Sequence, residues 1–320
     1  MKFSVIIPVF NRPDELRELL HSLSNQIFTD FEVVVIEDGS LINSSDVISN
    51  FADLLQLQYL VQVNTGQGFA RNNGMKIANG DFFVILDSDV ILPNDYLQEL
   101  AKAIDSRNLN AFGGPDAADK DFTALQKAMD FAMTSFWTTG GIRGKMKDPA
   151  KYQARGFNMG VSRKVFETTA GFVDPNQGED IEWSIRIKKA GFKLELVKNA
   201  FVYHKRKNTL KSFAKQAFSF GRNRVNVSRF HPEAIKLVHW LPSAFLLFSL
   251  SIPIFFIGSK PLFHLSIAVF ITWSVGVVLS SAVQNKSAKV GVLSWFTSVL
   301  QLWSYGLGLP LELLRKYVKG

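Results

Sequence analysis

After Glu233 the sequence changes from mixed composition to long apolar stretches, and this change limits what the chain can fold into. Apolar segments lie at 237–258, 262–283 and 290–311, each near the ~20 residues that a helix needs to cross a bilayer. Their only charged residues at neutral pH are lysines in the short connections, whereas core helices of soluble proteins seldom lack a charged face over such lengths. We therefore predict a membrane region at 235–314 with two to three hydrophobic helices, and a basic tail at 315–320.

A cluster of basic residues precedes the apolar segments and accounts for the net charge of +8. Residues 204–232 contain no acidic residue, and their basic residues are Lys205, Arg206, Lys207, Lys211, Lys215, Arg222, Arg224 and Arg229. Because the cluster is next to a membrane span, anionic membrane lipid or an anionic lipid-linked substrate is favoured over nucleic acid as its partner. We assign 206–234 as a basic juxtamembrane or interfacial segment. The positive-inside tendency then predicts a multi-pass protein of the cytoplasmic membrane whose N-terminal region faces the cytoplasm.

The third apolar segment conflicts with that topology. Three full crossings would place the basic tail outside, against the positive-inside tendency. Gly306, Gly308 and Pro310 lie within the segment, so a re-entrant or interfacial third segment is the alternative.

The N-terminal region alternates strand-like and helix-like stretches. Apolar, β-branched runs at 3–9, 32–38, 57–63 and 81–87 recur at intervals of about thirty residues or less, which is typical of βαβ units. Asn11 is a candidate cap for the first helix between them. The predicted fold class is α/β, with a Rossmann-like, mostly parallel sheet flanked by helices, followed by a C-terminal transmembrane helical region. Ligands of such sheets bind outside the carboxyl ends of the strands, which here carry PVFN, EDGS and DSD.

Two carboxylates, Asp87 and Asp89, lie one residue apart at the end of the fourth run. A divalent cation would relieve their repulsion, and Mg²⁺ or Mn²⁺ takes one or two carboxylates together with substrate phosphates. The alternative is that both are turn residues that cap the next helix. The preceding glycine-containing loop and Arg71, at the start of a predicted helix, favour bound phosphate. A dinucleotide site is disfavoured because GxGxxG is absent from the first strand turn.

Several linked motifs resemble those of the inverting family-2 glycosyltransferases. They are SVIIPVFNRPDEL, VVVIEDGS, GFARNNGMKIANG with LDSDV, and GFVDPNQGEDIEWSIRIKKAGFKLELV, and they cover about residues 3–205. The resemblance implies a GT-A fold, so we assign 1–205 as a GT-A catalytic domain. It further implies metal-dependent, inverting transfer of a single sugar from a nucleotide-diphosphate sugar, with UDP-sugars expected. The expected acceptor is lipid-linked or membrane-near, as in cell-envelope glycan biosynthesis.

The resemblance also assigns roles to individual residues on the donor side. The residues expected to bind the nucleotide sugar are Pro8, Phe10, Asn11, Asp38, Arg71, Asp87 and Ser88. Of these, the first three would line the nucleotide pocket, Asp38 would meet the base or ribose, and Arg71 would support the nucleotide end. Asp87 and Asp89 would hold Mg²⁺ or Mn²⁺, with His204 as a further candidate.

On the acceptor side, Glu179 and Asp180 begin a predicted helix, where acidic residues also interact favourably with the helix dipole. The resemblance implies that Asp180 is the general base for the acceptor hydroxyl and that Glu179 orients it or the acceptor. Trp183 is either a packing residue or a wall of the acceptor pocket. A glycine-rich, cationic loop at 140–158 is either close to an anionic acceptor or an ordinary solvated loop.

Two other functions remain open from the sequence. A processive polysaccharide synthase is disfavoured by the few spans and the absent Q-x-x-R-W motif, since Gln216 and Arg222 have the wrong spacing. A non-catalytic nucleotide-sugar-binding membrane protein is the other alternative. The sequence shows no sign that catalytic residues have been lost, because Asp87, Asp89 and Asp180 are all present.

Overall fold

The structure, a computed structural model, describes residues 1–117, 122–140, 152–204 and 209–319. Most of the glycine-rich loop, residues 141–151, and the start of the basic cluster, 205–208, lie outside the described residues, as does the side chain of His204. The chain forms two compact units. The first is Met1–Asp119 with Lys147–Lys205, and the second is Lys120–Met146 with Arg206–Gly320. A segment within the range assigned to the catalytic domain therefore belongs to the second unit.

The first unit is built on a mostly parallel sheet. The strands in the described residues are β1 (Phe3–Val9), β2 (Phe31–Asp38), β3 (Leu57–Gln62), β4 (Phe82–Leu86), β5 (Val90–Ile91), β6 (Ala111–Gly113), β7 (Asp116–Ala117), β8 (Asn158–Ser162), β9 (Leu194–Leu196) and β10 (Val202–His204). Seven of them form one sheet in the order β3-β2-β1-β4-β8-β6-β9, in which β8 runs antiparallel to β4 and β6. A small second sheet has the order β5-β10-β7. The α/β fold expected from the sequence is confirmed.

The helices connect the strands and continue into the second unit. They are α1 (Pro13–Ser24), α2 (Ser45–Phe51), α3 (Gln67–Ile77), α4 (Tyr96–Arg107), α5 (Ala124–Thr134), α6 (Phe136–Thr139), α7 (Arg163–Thr169), α8 (Glu179–Lys189), α9 (Leu210–Val227), α10 (Leu241–Gly258), α11 (Lys260–Asn285) and α12 (Ala288–Lys319). Asn11 does not cap α1. The cap position is Arg12, and it makes no side-chain capping bond.

Apolar residues of the strands alternate between two cores, one on each face of the sheet. On β1, Val5 and Ile7 pack into the core that also holds the leucines of α1, whereas Ile6 packs into the core with Met75 of α3. A sheet with helices on both faces buries its central strands completely. The carboxyl ends of β1, β2 and β4 therefore leave their polar residues at one edge of the first unit.

The second unit contains the apolar helices. Within the described residues, two stretches are long and apolar enough to cross a membrane, Leu237–Gly258 and Lys260–Asn285. The third apolar segment is not among the stretches that are long and apolar enough to cross a membrane. It forms one continuous helix, α12, that runs through Pro310 without a break.

The glycines of α12 serve helix packing. A Cβ on Gly308 would lie 2.2 Å from the Phe218 carbonyl oxygen of α9, and one on Gly306 would lie 2.5 Å from the Pro242 carbonyl of α10. Glycine at these positions lets the helix backbones approach closely. The structure therefore gives these two glycines a role in packing within the second unit.

Two stretches with many apolar positions, 122–139 and 211–230, contribute to the core of the second unit. Met129 and Met133 of α5 pack with Phe213 of α9. Two arginines of the basic cluster, Arg222 and Arg229, pair with the buried Glu312 of α12 at 2.7 and 3.1 Å. Part of the basic cluster thus has an acidic partner inside this unit.

Candidate active site

Asn11 fixes the loop that follows β2 against the end of β1. Its side-chain Oδ1 accepts hydrogen bonds from the backbone N–H groups of Leu41 (2.8 Å) and Ile42 (3.1 Å), and its own N–H donates to Ser40 Oγ. Asn11 adopts a φ of 54°, in the left-handed region that asparagine tolerates better than most residues. The structure therefore gives Asn11 a role in holding two strand ends together.

Glu37 and Asp38, at the end of β2, are buried and hydrogen-bonded. Glu37 accepts from the Ser44 N–H and from Tyr59 Oη, and burial together with this carboxylate raises the pKa of Tyr59 to about 12. Asp38 accepts from the N–H groups of Thr65 (2.8 Å) and Gly66 (2.9 Å), one on each oxygen. Each carboxylate therefore orders a loop at the strand ends.

Each aspartate of the DSD motif pairs with an arginine. Asp87 Oδ1 lies 2.6 Å from Arg71 Nη2, and Asp89 Oδ2 lies 2.6 Å from Arg12 Nη1. Ser88 between them is buried. Neither aspartate caps a helix, because β5 follows and α4 begins only at Tyr96. The capping alternative is wrong, and guanidinium groups offset the repulsion between the carboxylates.

Arg71 links the DSD motif to the start of α8. Its side chain is 1% exposed, and Nη1 lies 3.1 Å from Oε1 of the buried Glu179. Burial alone would lower the pKa of Arg71, but the charges of Asp87 and Glu179 outweigh it and raise that pKa. Burial and the charge of Asp180 raise the pKa of Glu179 to about 7, against the opposing effect of Arg71.

Asp180 is held by backbone groups at the start of α8. Its Oδ2 accepts from the Gly156 N–H at 3.1 Å and its Oδ1 from the Ile181 N–H at 2.7 Å. Each carboxylate oxygen has two acceptor lone pairs, so capacity remains for a further donor. Asp180 is half-buried, next to the buried Glu179. A carboxylate fixed in this way is suited to accept a proton from a bound hydroxyl group.

The N-terminus of α3 does not offer its donors to a phosphate. The N–H groups of Gln67 and Gly68 donate to Asn176 Oδ1 and the Pro175 carbonyl. Asp38 takes the preceding two N–H groups. In this structure the first N–H groups of α3 therefore donate to protein acceptors, and the buried Arg71 contacts carboxylates.

The DSD pair fits a divalent cation that shares its ligands with a substrate. Within the described ranges, no group of three or more His, Asp or Glu side chains is placed to hold a metal ion. Mg²⁺ commonly takes one or two carboxylates with substrate phosphates and waters rather than an all-protein cage. Asp87 and Asp89 each contact a positive charge in this structure, that of Arg71 and that of Arg12. The backbone of His204 pairs with Val90, next to Asp89.

The remaining sequence candidates fall in different surroundings. Phe10, at the end of β1, is 50% exposed, and Pro8 is half-buried in that strand. Trp183 is completely buried, packs on Phe172 with ring centroids 4.4 Å apart, and donates to Thr169 Oγ1. A side chain without exposed surface cannot contact an acceptor, so the assignment of Trp183 as an acceptor-pocket wall is wrong. It is a core residue.

Sequence reasoning missed three residues that organise the site. Arg12 pairs with Asp89, Gln67 Nε2 donates to Glu179 Oε1 at 2.6 Å, and the Gly156 backbone holds Asp180. Arg12 was the most accessible to prediction, because it directly follows PVFN at a strand end. The other two contacts join residues 112 and 24 positions apart, and no local signal marks them.

The chain is similar to known proteins over part of its length. The model of glycosyl transferase family 2 matches residues 4–169. The glycosyltransferase GlyA of Streptococcus pneumoniae serotype 4 is 35% identical over 104 residues, which cover 32% of this chain and 15% of that protein. The poly(ribitol-phosphate) beta-N-acetylglucosaminyltransferase TarS of Staphylococcus aureus is 37% identical over 113 residues, which cover 34% and 20%. The chain thus spans a fifth or less of the length of these two relatives.

A solved structure extends the likeness to most of the chain. The mannosyltransferase PcManGT from Pyrobaculum calidifontis, in complex with GDP-Man and Mn²⁺, matches with a TM-score of 0.66. The match covers 93% of this chain and 87% of PcManGT at 17% sequence identity. At that identity the likeness establishes the fold, which is the GT-A type expected from the sequence.

Proposed function

This chain belongs to glycosyl transferase family 2, and on that premise we propose that it is a membrane-anchored, inverting glycosyltransferase. It moves a single sugar from a nucleotide-diphosphate sugar, with a UDP-sugar the first donor to test, to a lipid-linked or membrane-near acceptor. Assembly of cell-envelope glycans is the process that such a reaction serves.

The observation that carries the proposal is the arrangement of carboxylates around Arg71. This buried guanidinium pairs with Asp87 of the DSD motif and with Glu179. Glu179 precedes Asp180, the candidate base. The groups proposed for the donor diphosphate and for the acceptor hydroxyl therefore belong to one connected network, as a direct transfer between two substrates requires.

The chemistry needs one base on the acceptor side and stabilisation of the leaving diphosphate on the donor side. Asp180 accepts the acceptor's proton, and the backbone N–H of Gly156 keeps its carboxylate oriented. Asp87 and Asp89 would hold Mg²⁺ or Mn²⁺, and the ion would supply positive charge that stabilises the leaving diphosphate. Glu179, whose pKa is raised to about 7, limits the negative charge beside Asp180 near neutral pH.

Membrane anchoring rests on the two apolar stretches at Leu237–Gly258 and Lys260–Asn285. We place residues 1–205 in the cytoplasm and assign 206–234 to the membrane surface, because cytoplasmic flanks of membrane spans are enriched in Lys and Arg. The basic residues there other than Arg222 and Arg229 are proposed to face anionic lipid.

The experiment that tests the function is nucleotide release from UDP-, GDP- and dTDP-sugars by the detergent-purified chain, with Mn²⁺ or Mg²⁺ and a membrane-lipid extract as acceptor. We expect release from one donor that EDTA and Asp89→Ala abolish. Asp180→Asn should bind the same donor but lose transfer by about 10²-fold or more.

Two results would reject the proposal in different ways. Donor binding without turnover in the presence of acceptor extract would favour a non-catalytic nucleotide-sugar-binding protein. Long polymer in the products would favour a processive polysaccharide synthase. Arg107→Gln is the control variant, since Arg107 pairs with Glu195 on the last strand of the sheet.

A further inference from the structure

The arginine of the Arg12–Asp89 ion pair is more exposed to solvent than the arginine of the Arg71–Asp87 pair. Arg71 is 1% exposed and is fixed by two carboxylates, whereas 39% of the Arg12 side chain is exposed to solvent. Partly exposed ion pairs contribute little net free energy, because water solvates the separated groups. Water can therefore solvate the Arg12 guanidinium when it leaves, and a cation that takes its place would keep the 14% exposed Asp89 paired, whereas Arg71 has no such access to water.

The backbone around Arg12 is fixed even though its side chain is not. Asn11 is tied to the loop after β2 through Leu41 and Ile42, and Pro13 starts α1 immediately afterwards. Proline also restricts the backbone of the residue before it. A change in the position of the Arg12 guanidinium is therefore a side-chain movement, and it leaves the strand ends in place.

Charge balance at the DSD motif favours an exchange of partners. Asp87 and Asp89 are matched by the positive charges of Arg71 and Arg12. A divalent cation at the aspartates would repel a guanidinium at Asp89. The displaced guanidinium would then lack an anionic partner. The diphosphate of a nucleotide can be that partner, because arginine binds phosphate oxygens in a bidentate geometry.

We propose that Arg12 is an internal counter-ion for Asp89 that yields this carboxylate to the divalent cation and then pairs with the diphosphate of the donor. Arg12 is thus a positioning residue for the donor, and it also sets the affinity for the cation. The inference rests on the proposed function, because it needs a cation and a nucleotide diphosphate at the DSD motif.

Removal of the Arg12 charge should change the affinities for the cation and for the nucleotide diphosphate in opposite directions. A residue with only a structural role would not have this effect. Removal of the Arg12 charge tightens cation binding, because a competitor for Asp89 is lost. It weakens binding of a nucleotide diphosphate in the presence of cation, because a phosphate partner is lost. A residue that only supported the fold would weaken both when removed.

The first test is titration of the detergent-purified full chain with Mn²⁺ alone, in which the electron paramagnetic resonance signal of free Mn²⁺ reports binding. Arg12→Gln is expected to bind Mn²⁺ at least about threefold more tightly than wild type, as expected for loss of a partly exposed ion pair. Arg12→Lys keeps the charge and should stay near wild type. Arg107→Gln is a matched control, because that pair has exposures of 36% and 16%, against 39% and 14% here.

The second test is calorimetric binding of UDP and of GDP at saturating Mn²⁺. Arg12→Gln should bind the preferred nucleotide about threefold or more weakly than wild type and Arg107→Gln. Unchanged or weaker Mn²⁺ binding by Arg12→Gln would overturn the inference, and so would unchanged nucleotide binding.

Asp89→Asn separates failure of this inference from failure of the proposed function. If wild type binds Mn²⁺ and nucleotide, Asp89→Asn does not bind Mn²⁺, and Arg12→Gln matches wild type, only the role of Arg12 is rejected. If no variant binds Mn²⁺ or nucleotide, the inference is rejected together with the metal and donor site on which the proposed function depends.

Discussion

Nη2 of Arg71 lies 2.6 Å from Oδ1 of Asp87, and this ion pair joins the end of β4 to the interior of the first unit. Through Nη1 the same guanidinium reaches Glu179 at the start of α8. The DSD motif and the acidic start of α8 are thus held by one side chain. A change to that side chain should disturb both ends of the site at once.

Replacement of Arg71 by methionine is expected to destabilise the first unit by about 1–3 kcal/mol, since it removes a hydrogen-bond donor from the buried Glu179 and the counter-ion of Asp87. Arg71→Lys should recover part of this loss, because an ammonium keeps the charge but cannot form the two-armed contact. Hydrogen exchange of the amides in α3 and α8 measures the local opening free energy. Protection unchanged from wild type in Arg71→Met would contradict the structural role assigned here.

The fold of the first unit was largely predictable from the chain, because its central strands are uninterrupted β-branched runs. Those runs cover β1, β2 and β4 almost residue for residue. Strand alternation and the predicted polar strand ends also brought EDGS and DSD to one edge of the sheet. Local pattern is sufficient where the strands are buried on both faces.

The connections within the site were not predictable. Arg71 and Glu179 are 108 positions apart, and no periodicity in the sequence indicates that they meet. Trp183 lies within a motif that suggests function, yet its side chain is in the core. Proline and glycine in α12 suggested a break, whereas packing against α9 and α10 explains the glycines. In each case the surroundings of the residue come from other elements of the fold.

Two variants of Asn11 should separate its side-chain bonds from its backbone conformation. Asn11→Gly loses the acceptor for the Leu41 and Ile42 N–H groups but tolerates a φ of 54°. Asn11→Ala loses the same acceptor and is also strained at this φ. We expect Asn11→Ala to be the less stable of the two by about 1–2 kcal/mol. Hydrogen exchange at residues 41–44 reports the loop, and equal protection in the two variants would contradict a contribution from the backbone conformation.

Because the pKa of Glu179 is raised, we expect the stability of the folded chain to depend on pH. With its pKa raised to about 7, Glu179 holds a proton in the folded chain at pH values where the unfolded chain has lost it. Folding is therefore favoured at low pH, and this contribution is lost as pH rises from about 4.5 through 7. Glu179→Gln cannot titrate, but its amide oxygen can still accept from Gln67 and Arg71.

The measurement is the difference in Tm between wild type and Glu179→Gln from pH 5 to pH 8. Wild type should lose about 5–10 °C relative to the variant over this range, the shift that about 2.5 kcal/mol produces in a domain of this size. A difference that stays constant, or that changes in favour of wild type as pH rises, would show that the pKa of Glu179 is not raised.

Gly308 should be essential to the packing of α12 against α9, because a Cβ there would lie 2.2 Å from the Phe218 carbonyl oxygen. Backbone cannot move aside as a side chain can, so Gly308→Ala should cost about 1–3 kcal/mol through separation of the helices. Gly258→Ala is the matched control, since a Cβ at Gly258 meets no atom within 4 Å. Thermal unfolding followed by the fluorescence of Trp295 and Trp303 of α12 should show a lower midpoint for Gly308→Ala alone. Equal midpoints would mean that α9 and α12 do not pack as closely as the structure has them.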